Sequence, residues 1–259
     1  MIISGSLAVI SGSSSGIGEA TARLLAAKGS HVILLARDAA RLNEVAAGIR
    51  GQNGKADVYA VDLGDAKALA ATATRILAEH RSPDILINNA GAGRWLPLLQ
   101  TPAEEAAAMM TLPYLAAFNL TRELLPGMLE RGSGQIVNLT SVACRLAWRG
   151  AVAYSAARAA MEGFTNALRA DVQGSGVSVM LATFGTVETP YWKNNPGSRT
   201  QIPKRSTDIR VLTQEEVAES IVRGIERGQR EILQPGIYKL LFLLNAFFPK
   251  AVSRYVTGS

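Results

Sequence analysis

Tyr154 and Arg158 stand four positions apart in a segment with a helical pattern, so one helix face would carry both a phenol and a guanidinium group. A phenol can give a proton to a bound oxygen or take one from it, and a neighbouring cation stabilises the phenolate. Ser141, thirteen residues before Tyr154, adds a hydroxyl that could hydrogen-bond the same oxygen. Taken singly, Tyr154 could be a half-buried helix aromatic and Ser141 a helix-entry cap. The joint spacing favours the acid–base interpretation.

A glycine- and serine-rich segment near the amino terminus could bind a pyrophosphate. Its glycines follow the spacing G-x-x-x-G-x-G, directly after an apolar run and at the start of a helical pattern. Gly12 permits a tight turn, Gly16 and Gly18 permit close approach, and the helix amino terminus offers unpaired N–H groups to an anion. A glycine–serine turn without a ligand is the alternative. The predicted phosphate-binding residues are Gly12, Ser14, Ser15, Gly16, Ile17 and Gly18.

The end of the second apolar run indicates which dinucleotide such a site would take. An acidic residue at this position hydrogen-bonds the ribose 2′-hydroxyl of NAD, whereas an Arg accommodates the 2′-phosphate of NADP. Ala36 occupies the place of the acid, and Arg37 follows it. Arg37 could also be a solvated loop residue, and Asp38 could turn inward. The pattern predicts NADP(H) as the cofactor, with NAD(H) as the less favoured alternative.

Four motifs in order resemble those of the short-chain dehydrogenase/reductase family, and the resemblance covers nearly the whole chain. They are the glycine segment 12–18, Asn88–Gly91, Ser141 and Tyr154. The resemblance implies an NADP-dependent oxidoreductase that interconverts a carbonyl and a secondary alcohol. In it Tyr154 would be the acid/base, Ser141 would orient the oxygen, and Arg158 would support the phenolate and bind cofactor ribose. The further cofactor contacts that the resemblance implies are Asp62, Leu63, Asn89, Ala90, Gly91, Gly185, Val187 and Thr189, besides Tyr154 and Arg158 themselves.

Three positions depart from the family pattern. Arg158 stands where the family has Lys; its guanidinium keeps the positive charge but is effectively never deprotonated. Pro113 stands where the family has an Asn that helps hold a water linked to that Lys, and Phe184 stands where Pro is usual. Pro offers no side-chain donor and bends a helix. The alternative interpretation is therefore a catalytically weak or inactive NADP-binding sensor or scaffold protein.

Short apolar runs alternate along the chain with longer helical patterns. The runs are continuously apolar, which is typical of strands buried on both faces of a parallel sheet. The alternation predicts an α/β fold: one Rossmann-type doubly wound parallel sheet of about seven strands, with helices on both faces, in a single domain over residues 1–259. The seven runs are Leu7–Ile10, Val32–Ala36, Val58–Val61, Ile85–Asn88, Gln135–Leu139, Val177–Ala182 and Glu231–Gln234. The main helical patterns cover residues 17–25, 42–49, 66–77, 102–129 and 151–172.

Two later segments do not follow this alternation. Residues 187–213 are polar and lack periodicity, which predicts a loop or lid over a substrate. Residues 237–254 are largely apolar and could form a buried helix, a cover for an apolar pocket, a dimer contact or a membrane-surface anchor. Both segments favour a hydrophobic substrate. Aromatic residues expected to overhang the cleft are Trp95, Trp148, Tyr191 and Trp192.

Composition and charge limit the remaining possibilities. The chain has 259 residues, 48% of them hydrophobic, and a single Cys, which excludes an internal disulfide and a zinc site built from several thiolates. The net charge is +6, with 11 Lys and Arg against six Asp and Glu in residues 193–259. A solvated basic surface is the favoured interpretation, and no nucleic-acid motif is visible.

The expected partners are a small apolar carbonyl or alcohol and further copies of the chain, in a homodimer or homotetramer. The helices over residues 102–129 and 151–172 would form the contact between copies. Peripheral membrane contact through residues 237–254 is an additional expectation. No secretory pattern is visible, which predicts a cytoplasmic protein, with association at a membrane surface as an option.

The remaining candidates for chemistry are few. His31 and His80 lie at the ends of predicted elements, and we expect both to be far from any acidic cluster, so no metal site is predicted. Cys144 follows Ser141 by three residues, and a buried, unreactive thiol is the favoured interpretation.

Overall fold

All seven predicted strands form in the computed structural model, which describes residues 1–146, 148–202 and 209–257. The strands are β1 (Leu7–Ser11), β2 (His31–Ala36), β3 (Lys55–Ala60), β4 (Ile85–Asn88), β5 (Gly134–Ser141), β6 (Val177–Phe184), β7 (Val187–Glu188), β8 (Leu212–Thr213) and β9 (Glu231–Gln234). Seven of them make one parallel sheet in the order β3-β2-β1-β4-β5-β6-β9. The predicted Rossmann-type doubly wound fold is confirmed.

Helices cover both faces of this sheet. They are α1 (Gly16–Ala27), α2 (Ala39–Arg50), α3 (Ala66–Glu79), α4 (Ala103–Met110), α5 (Ala116–Arg131), α6 (Val152–Asp171), α7 (Tyr191–Asn194), α8 (Gln214–Glu226), α9 (Ile237–Phe247) and α10 (Pro249–Thr257). Alternate residues of β1 enter different cores: Ala8 and Ile10 pack on the side of α1, α2 and α8, while Leu7 and Val9 pack on the side of α3 and α5. Burial on both faces explains why the strands read as continuous apolar runs.

The strand order reverses beside β1, which pairs with β2 on one side and with β4 on the other. In register, Leu7 lies opposite His31 and Ala8 lies opposite Ile85. In open α/β sheets the crevice at such a switch point, at the carboxyl ends of the strands, is where ligands bind. The glycine-rich segment after β1 therefore lies at the edge where a nucleotide site is expected.

Pro113 changes the local geometry of the helix predicted over residues 102–129. The helical backbone is continuous but widens to a π turn, Thr111–Leu115, between α4 and α5, and Pro113 is buried within it. Proline has no N–H to donate in the α-helical pattern, and π-helical segments, although rare, occur mostly as single turns of this kind inside α-helices. The proline thus widens this helix without ending it.

The described parts of the polar segment 187–213, residues 187–202 and 209–213, contain more regular structure than the composition predicts. Its two ends pair as the parallel strands β7 and β8, with Val187 opposite Leu212. Between them, α7 and a 3₁₀ turn, Arg199–Gln201, are present. Residues 203–208 of the predicted lid lie outside the described residues.

The apolar tail forms α9 and α10. Tyr238, Leu241, Val252 and Val256 are buried, while much of the remaining apolar surface of α9 is exposed. Within the described residues, no helix combines the length and the apolar content that crossing a bilayer requires.

Candidate active site

One large cavity of about 700 Å³ opens at the carboxyl ends of the strands. It runs from the glycine-rich segment to the start of α6, and its size is in the range usual for small-molecule and cofactor sites. It contains all but two of the residues predicted to bind cofactor or to react. Those lining it are Gly12, Ser14, Ser15, Gly16, Ile17, Arg37, Leu63, Asn89, Ala90, Gly91, Ser141, Tyr154, Arg158, Gly185, Val187 and Thr189.

The glycine-rich segment turns sharply between β1 and α1 and is held by the loop after β4. Gly12 has a positive φ of 67°, and a Cβ there would lie 2.9 Å from the Cα of Ala90. Asn89 Nδ2 donates to the carbonyl oxygens of Ser11 and Gly12 at 3.0 and 3.1 Å. Ser15 is the N-cap of α1, and its side chain makes no cap hydrogen bond. Its hydroxyl and the first N–H groups of α1 are therefore available to an anion.

Ser141 and Tyr154 enter the same cavity from different elements. Ser141 ends β5, and its Oγ accepts a hydrogen bond from the Ala143 amide at 3.3 Å. Because Oγ accepts there, the hydroxyl proton of Ser141 remains free to be donated to a bound oxygen. Tyr154 lies in the first turn of α6, is 9% exposed and lines the cavity.

Arg158, one turn further along α6, stacks on Tyr154. Its guanidinium carbon lies 5.0 Å from the centre of the Tyr154 ring, close enough for a cation–π contact. Nη1 donates to the carbonyl oxygen of Leu139 at 3.4 Å, and Thr140 Oγ1 donates to the Arg158 carbonyl oxygen at 2.8 Å. Arg158 Nε is buried and has no hydrogen-bond acceptor among the described residues. An acceptor oxygen of a ligand in the cavity would satisfy this donor.

Aromatic residues from three segments surround Tyr154. The Trp95 ring lies 5.1 Å from the rings of Tyr154 and Trp148 and 5.9 Å from that of Trp192. This convergence follows the expectation that Trp95, Trp148, Tyr191 and Trp192 overhang the cleft. The end of the cavity that contains Tyr154 is thus walled by indole and phenol rings.

Tyr191 is a second phenol in this cluster, with its ring 6.4 Å from that of Tyr154. Its hydroxyl donates to the carbonyl oxygen of Gly93 at 2.6 Å. Burial raises the pKa of Tyr191 above its usual range, and negative charge on Tyr154 would raise it further. Tyr191 therefore holds its proton more tightly than a free phenol, and its hydroxyl is already engaged with the Gly93 carbonyl oxygen.

Residues 6–199 match the sequence profile of the family described as short chain dehydrogenase. The chain belongs to this family. It is accordingly an oxidoreductase that acts on CH–OH and C=O groups with a nicotinamide dinucleotide. The predicted resemblance is confirmed.

Relatives of this short-chain dehydrogenase share much of its length. It is 34% identical over 232 residues, 89% of this chain and 76% of the relative, to a protein named fatty acyl-CoA reductase from Acinetobacter baylyi. Some other relatives are longer, and the chain spans only 39% of their length.

Solved structures also resemble this dehydrogenase. A short-chain dehydrogenase from Sphingobium yanoikuyae in complex with NADPH is 27% identical, with a TM-score of 0.83 over 96% of this chain and 95% of that one. A Burkholderia phymatum family member in complex with NAD is 22% identical, with a TM-score of 0.88 over 97% and 96% of the two chains; at that identity only the fold is shared.

The cavity of this short-chain dehydrogenase fits a dinucleotide. It extends without a break from the available N–H groups of α1, which suit a pyrophosphate, to the unpaired Arg158 Nε, which suits a ribose oxygen. Gly91, which also lines the cavity, leaves room for the Arg158 guanidinium, because a Cβ there would lie 2.5 Å from Arg158 Nη2. The residues present would therefore hold the cofactor that the family uses.

The end of the cavity beside β2 and α2 carries two arginines, of which the sequence interpretation found only one. Arg37 is exposed beside the cavity and has no acidic partner among the described residues. Asp38 is the N-cap of α2, and its carboxylate accepts from the Arg41 amide at 3.0 Å. Arg41 also lines the cavity and pairs with Glu44 at 2.5 Å. One feature of the sequence could have identified Arg41 as a cavity residue: it lies in the first turn of the helix that follows β2, at the carboxyl edge of the sheet.

Gly18 and Asp62 are the two predicted cofactor residues that do not line the cavity. A Cβ at Gly18 would lie 2.3 Å from the carbonyl oxygen of Gly12, so this glycine permits α1 to pack against the turn. Asp62 Oδ1 accepts from the Gly64 amide at 2.9 Å and orders the turn after β3. Both residues shape the edge of the site in this structure.

Cys144 is the last residue of the 3₁₀ turn that follows Ser141, and its thiol is free. Burial raises the pKa of the Cys144 thiol to about 12, and the nearby Glu162 carboxylate adds to this. The thiol therefore stays protonated at neutral pH. The residue is half-buried, whereas the sequence interpretation expected a buried one.

The expectation that His31 and His80 lie far from acidic residues was wrong. His31 begins β2, and His80 is the C-cap of α3. Asp57 lies near the start of β3, which pairs in parallel with β2, and its carboxylate is close to both histidines. His31 Nε2 lies 2.7 Å and His80 Nε2 3.8 Å from Asp57 Oδ2. Tyr59 hydrogen-bonds His80, and Arg50 approaches the second Asp57 oxygen at 3.4 Å. Because the Arg50 guanidinium already lies beside the Asp57 carboxylate, we assign His31, Asp57 and His80 as a structural network. This network lies at the edge of the sheet opposite the cavity.

Proposed function

We propose that this short-chain dehydrogenase uses NADPH to reduce the carbonyl group of a hydrophobic substrate, and that it oxidises the corresponding secondary alcohol in the reverse direction. One observation carries the proposal: Tyr154 lies in the cavity in contact with both the Arg158 guanidinium and the aromatic wall at Trp95. When bound, the reduced dinucleotide supplies the hydride that reaches the carbonyl carbon.

Three side chains would handle the oxygen of the substrate. Ser141 donates a hydrogen bond to the carbonyl oxygen and fixes its position. Tyr154 gives its phenolic proton to that oxygen as negative charge develops there, which leaves the alcohol and a phenolate. Arg158 stabilises the phenolate by its charge. Because guanidinium does not release a proton, Arg158 has no part in returning one to Tyr154.

The preference for NADP(H) over NAD(H) is supported by the adenosine end of the cavity. Asp38 is engaged as a helix cap, while Arg37 has no acidic partner among the described residues. A 2′-phosphate would pair with Arg37 and lie near Arg41, whereas the 2′-hydroxyl of NAD would lack an acidic acceptor. The dissociation constants of NADPH and NADH, measured by fluorescence titration, test this directly.

A hydrophobic substrate is supported by the aromatic wall and by one relative. The indole rings of Trp95, Trp148 and Trp192 form one cluster with Tyr154. The relative named fatty acyl-CoA reductase points to substrates with an acyl chain. We assign the described residues 187–202, which begin at the strand β7 paired with β8, as the cover over this end of the cavity.

Oxidation of NADPH, followed at 340 nm with ketones, aldehydes and acyl thioesters of increasing chain length, tests the proposed reaction. We expect kcat/KM to rise with chain length and to collapse in Tyr154→Phe. Turnover of none of these carbonyls by the native protein would contradict the proposal.

An NADP-binding sensor or scaffold is the second candidate function. The observation that favours it is the π turn at Pro113, where the family's Asn side chain is missing beside the cavity-lining Leu112. Arg158→Lys restores the usual cation and separates the two candidates. If neither the native protein nor this variant turns over while NADPH binds tightly, the sensor function holds.

Assembly into a homodimer or homotetramer through the long helices is part of the proposal. Leu115, Phe118 and Leu129 on the segment 111–131 and Val152 on α6 are exposed large apolar residues. Phe118 also joins Phe164 of α6 in an aromatic contact at 5.9 Å. Sedimentation velocity of the native chain and of Phe118→Glu tests this contact, and a smaller assembly is expected for the variant.

A further inference from the structure

The helix α9 has two apolar faces, and only one of them packs against the protein. Tyr238 and Leu241 are buried in the same cluster as Trp95 and Tyr154. The start of α9 also adjoins the cavity, since a Cβ at the cavity-lining Gly185 would lie 2.7 Å from the Tyr238 ring. Asn245 Nδ2 donates to the Arg145 carbonyl oxygen at 3.1 Å and holds the far end of the helix. The packed face is therefore firmly placed.

The opposite face of α9 carries a row of large apolar side chains that no described residue covers. Phe247 is 72% exposed, Phe248 62% and Leu243 58%. Scattered exposed apolar residues are normal on a protein surface, but a continuous group on one helix marks an interaction site. The members of this group, called here the α9 face, are Ile237, Leu240, Leu243, Leu244, Phe247 and Phe248.

The charged residues within the carboxyl-terminal segment that forms α9 and α10 have a single sign. Residues 232–259 contain no Asp or Glu, and the exposed cations Lys239, Lys250 and Arg254 lie on α9 and α10. We propose that the α9 face docks this protein on an anionic membrane surface, with α9 lying in the plane of the headgroups. Leu and Phe on one side of a helix with nearby Lys and Arg is the pattern of interfacial helices. At 11 residues α9 is too short to span a bilayer.

A second copy of the chain fits the α9 face less well than a lipid surface does. In a twofold contact the same patch meets itself, so the Lys239, Lys250 and Arg254 groups of two copies would be brought together. No carboxylate in residues 232–259 is available to neutralise them. Anionic headgroups provide that neutralisation, each Lys or Arg near such a surface strengthening binding about fivefold.

The position of α9 gives membrane docking a consequence for the substrate. Its packed face helps wall the aromatic end of the cavity, while its exposed face would lie among the headgroups. An acyl chain partitioned into the bilayer would then be close to the cavity entrance. This second step rests on the proposed function; the docking itself does not.

Flotation with vesicles tests the docking. The full chain is mixed with vesicles of phosphatidylcholine alone or of phosphatidylcholine with phosphatidylglycerol, at low and high salt. We expect binding to the anionic vesicles that weakens with salt. Leu240→Ser/Leu243→Ser/Phe247→Ser should bind at least about tenfold more weakly, because each exposed side chain buries apolar area in the interface. Leu77→Ser, at an exposed leucine of α3, is the matched control and should bind like the native chain.

Two further measurements separate the possible outcomes. Circular dichroism and turnover of a short, water-soluble ketone should match the native protein in the triple variant, because the changed residues are exposed. Native protein that does not float, or a triple variant that floats equally well, would overturn the docking. The docking would also be overturned if the only change in the triple variant were a smaller assembly in sedimentation velocity. The α9 face would then be a contact between copies of the chain. If the protein floats with the vesicles but reduces no carbonyl, the docking is supported and the proposed function is contradicted.

Discussion

The Arg158 guanidinium occupies the space that a side chain at residue 91 would need. Arg158 Nη2 lies 2.5 Å from the place of a Cβ on Gly91, and the same guanidinium stacks on the Tyr154 ring. The absence of a side chain at Gly91 thus allows an Arg to take the place that Lys has in the family. This pair couples the loop after β4 to the candidate acid/base on α6.

Gly91→Ala should push the guanidinium off Tyr154. We expect kcat for carbonyl reduction to fall at least about tenfold, because the phenolate loses its stabilising cation. In an Arg158→Lys background the same change should cost less, since an ammonium group occupies less space. Gly163→Ala, on α6 with no atom within 4 Å of the added Cβ, is the control and should leave kcat unchanged. Equal losses from Gly91→Ala in both backgrounds would contradict the coupling.

Tyr154→Phe should remove the proton donor and leave the cavity intact. A decrease in kcat of about 10²- to 10⁴-fold is expected, with the dissociation constant of NADPH little changed. The paired control is Tyr191→Phe, whose hydroxyl is engaged with the Gly93 carbonyl oxygen. That variant should lose less than about tenfold in kcat. Should Tyr191→Phe prove the more damaging of the two in steady-state kinetics, the assignment of the acid would be wrong.

Arg37→Glu should reverse the cofactor preference. The substitution removes the cation for a 2′-phosphate and supplies an acceptor for a 2′-hydroxyl, so NADPH affinity should fall and NADH affinity should rise. Fluorescence titration with both dinucleotides measures the change. Arg227→Glu, at the carboxyl end of α8 and away from the cavity, makes the same charge change and should alter neither affinity. A similar loss for NADPH in both variants would mean that only long-range charge is involved.

Asp84 should contribute a pH-dependent part of the stability. Burial by itself would raise the pKa of this carboxyl, but hydrogen bonds from Arg81 and from the Leu7 amide outweigh it and hold the pKa below its usual range. The stabilisation is therefore fully present above the pKa of an unfolded Asp and is lost as the pH falls through the lower folded value. Asp84→Asn should cost about 1 kcal/mol near pH 7, allowing for solvent screening.

Urea unfolding at a series of pH values measures this contribution of Asp84. The difference between the native chain and Asp84→Asn should shrink as the pH is lowered below about 4. A difference that stays constant down to pH 2 would show that the carboxylate charge has no part in it.

Cys144 should be unreactive in the folded protein. With the pKa of its thiol raised to about 12, very little thiolate exists at pH 8. We expect slow labelling by a thiol reagent in buffer, rapid labelling in urea, and normal turnover in Cys144→Ala. Fast labelling of the native chain at pH 8 would show that the thiol is accessible and ionised.

Features that depend on local spacing could be predicted from the order of the amino acids alone. The order of apolar runs and helical patterns predicted the sheet and its helices, because strands buried on both faces must be apolar throughout. Tyr154 and Arg158 lie one turn apart on α6 as predicted, because the helical repeat fixes that relation without reference to the rest of the chain. The turn at Gly12 follows equally from its immediate neighbours.

The tertiary structure alone decided the relations between distant segments. It placed Gly91 against Arg158, brought Asp57 between His31 and His80, and divided α9 into a packed and an exposed face. Each of these depends on strand order and on how helices lie over the sheet, which arise from packing of the whole core rather than from any short run of residues. The sequence pattern shows that residues 237–254 are largely apolar. Which of those side chains are buried and which are exposed depends on how α9 packs on the rest of the fold.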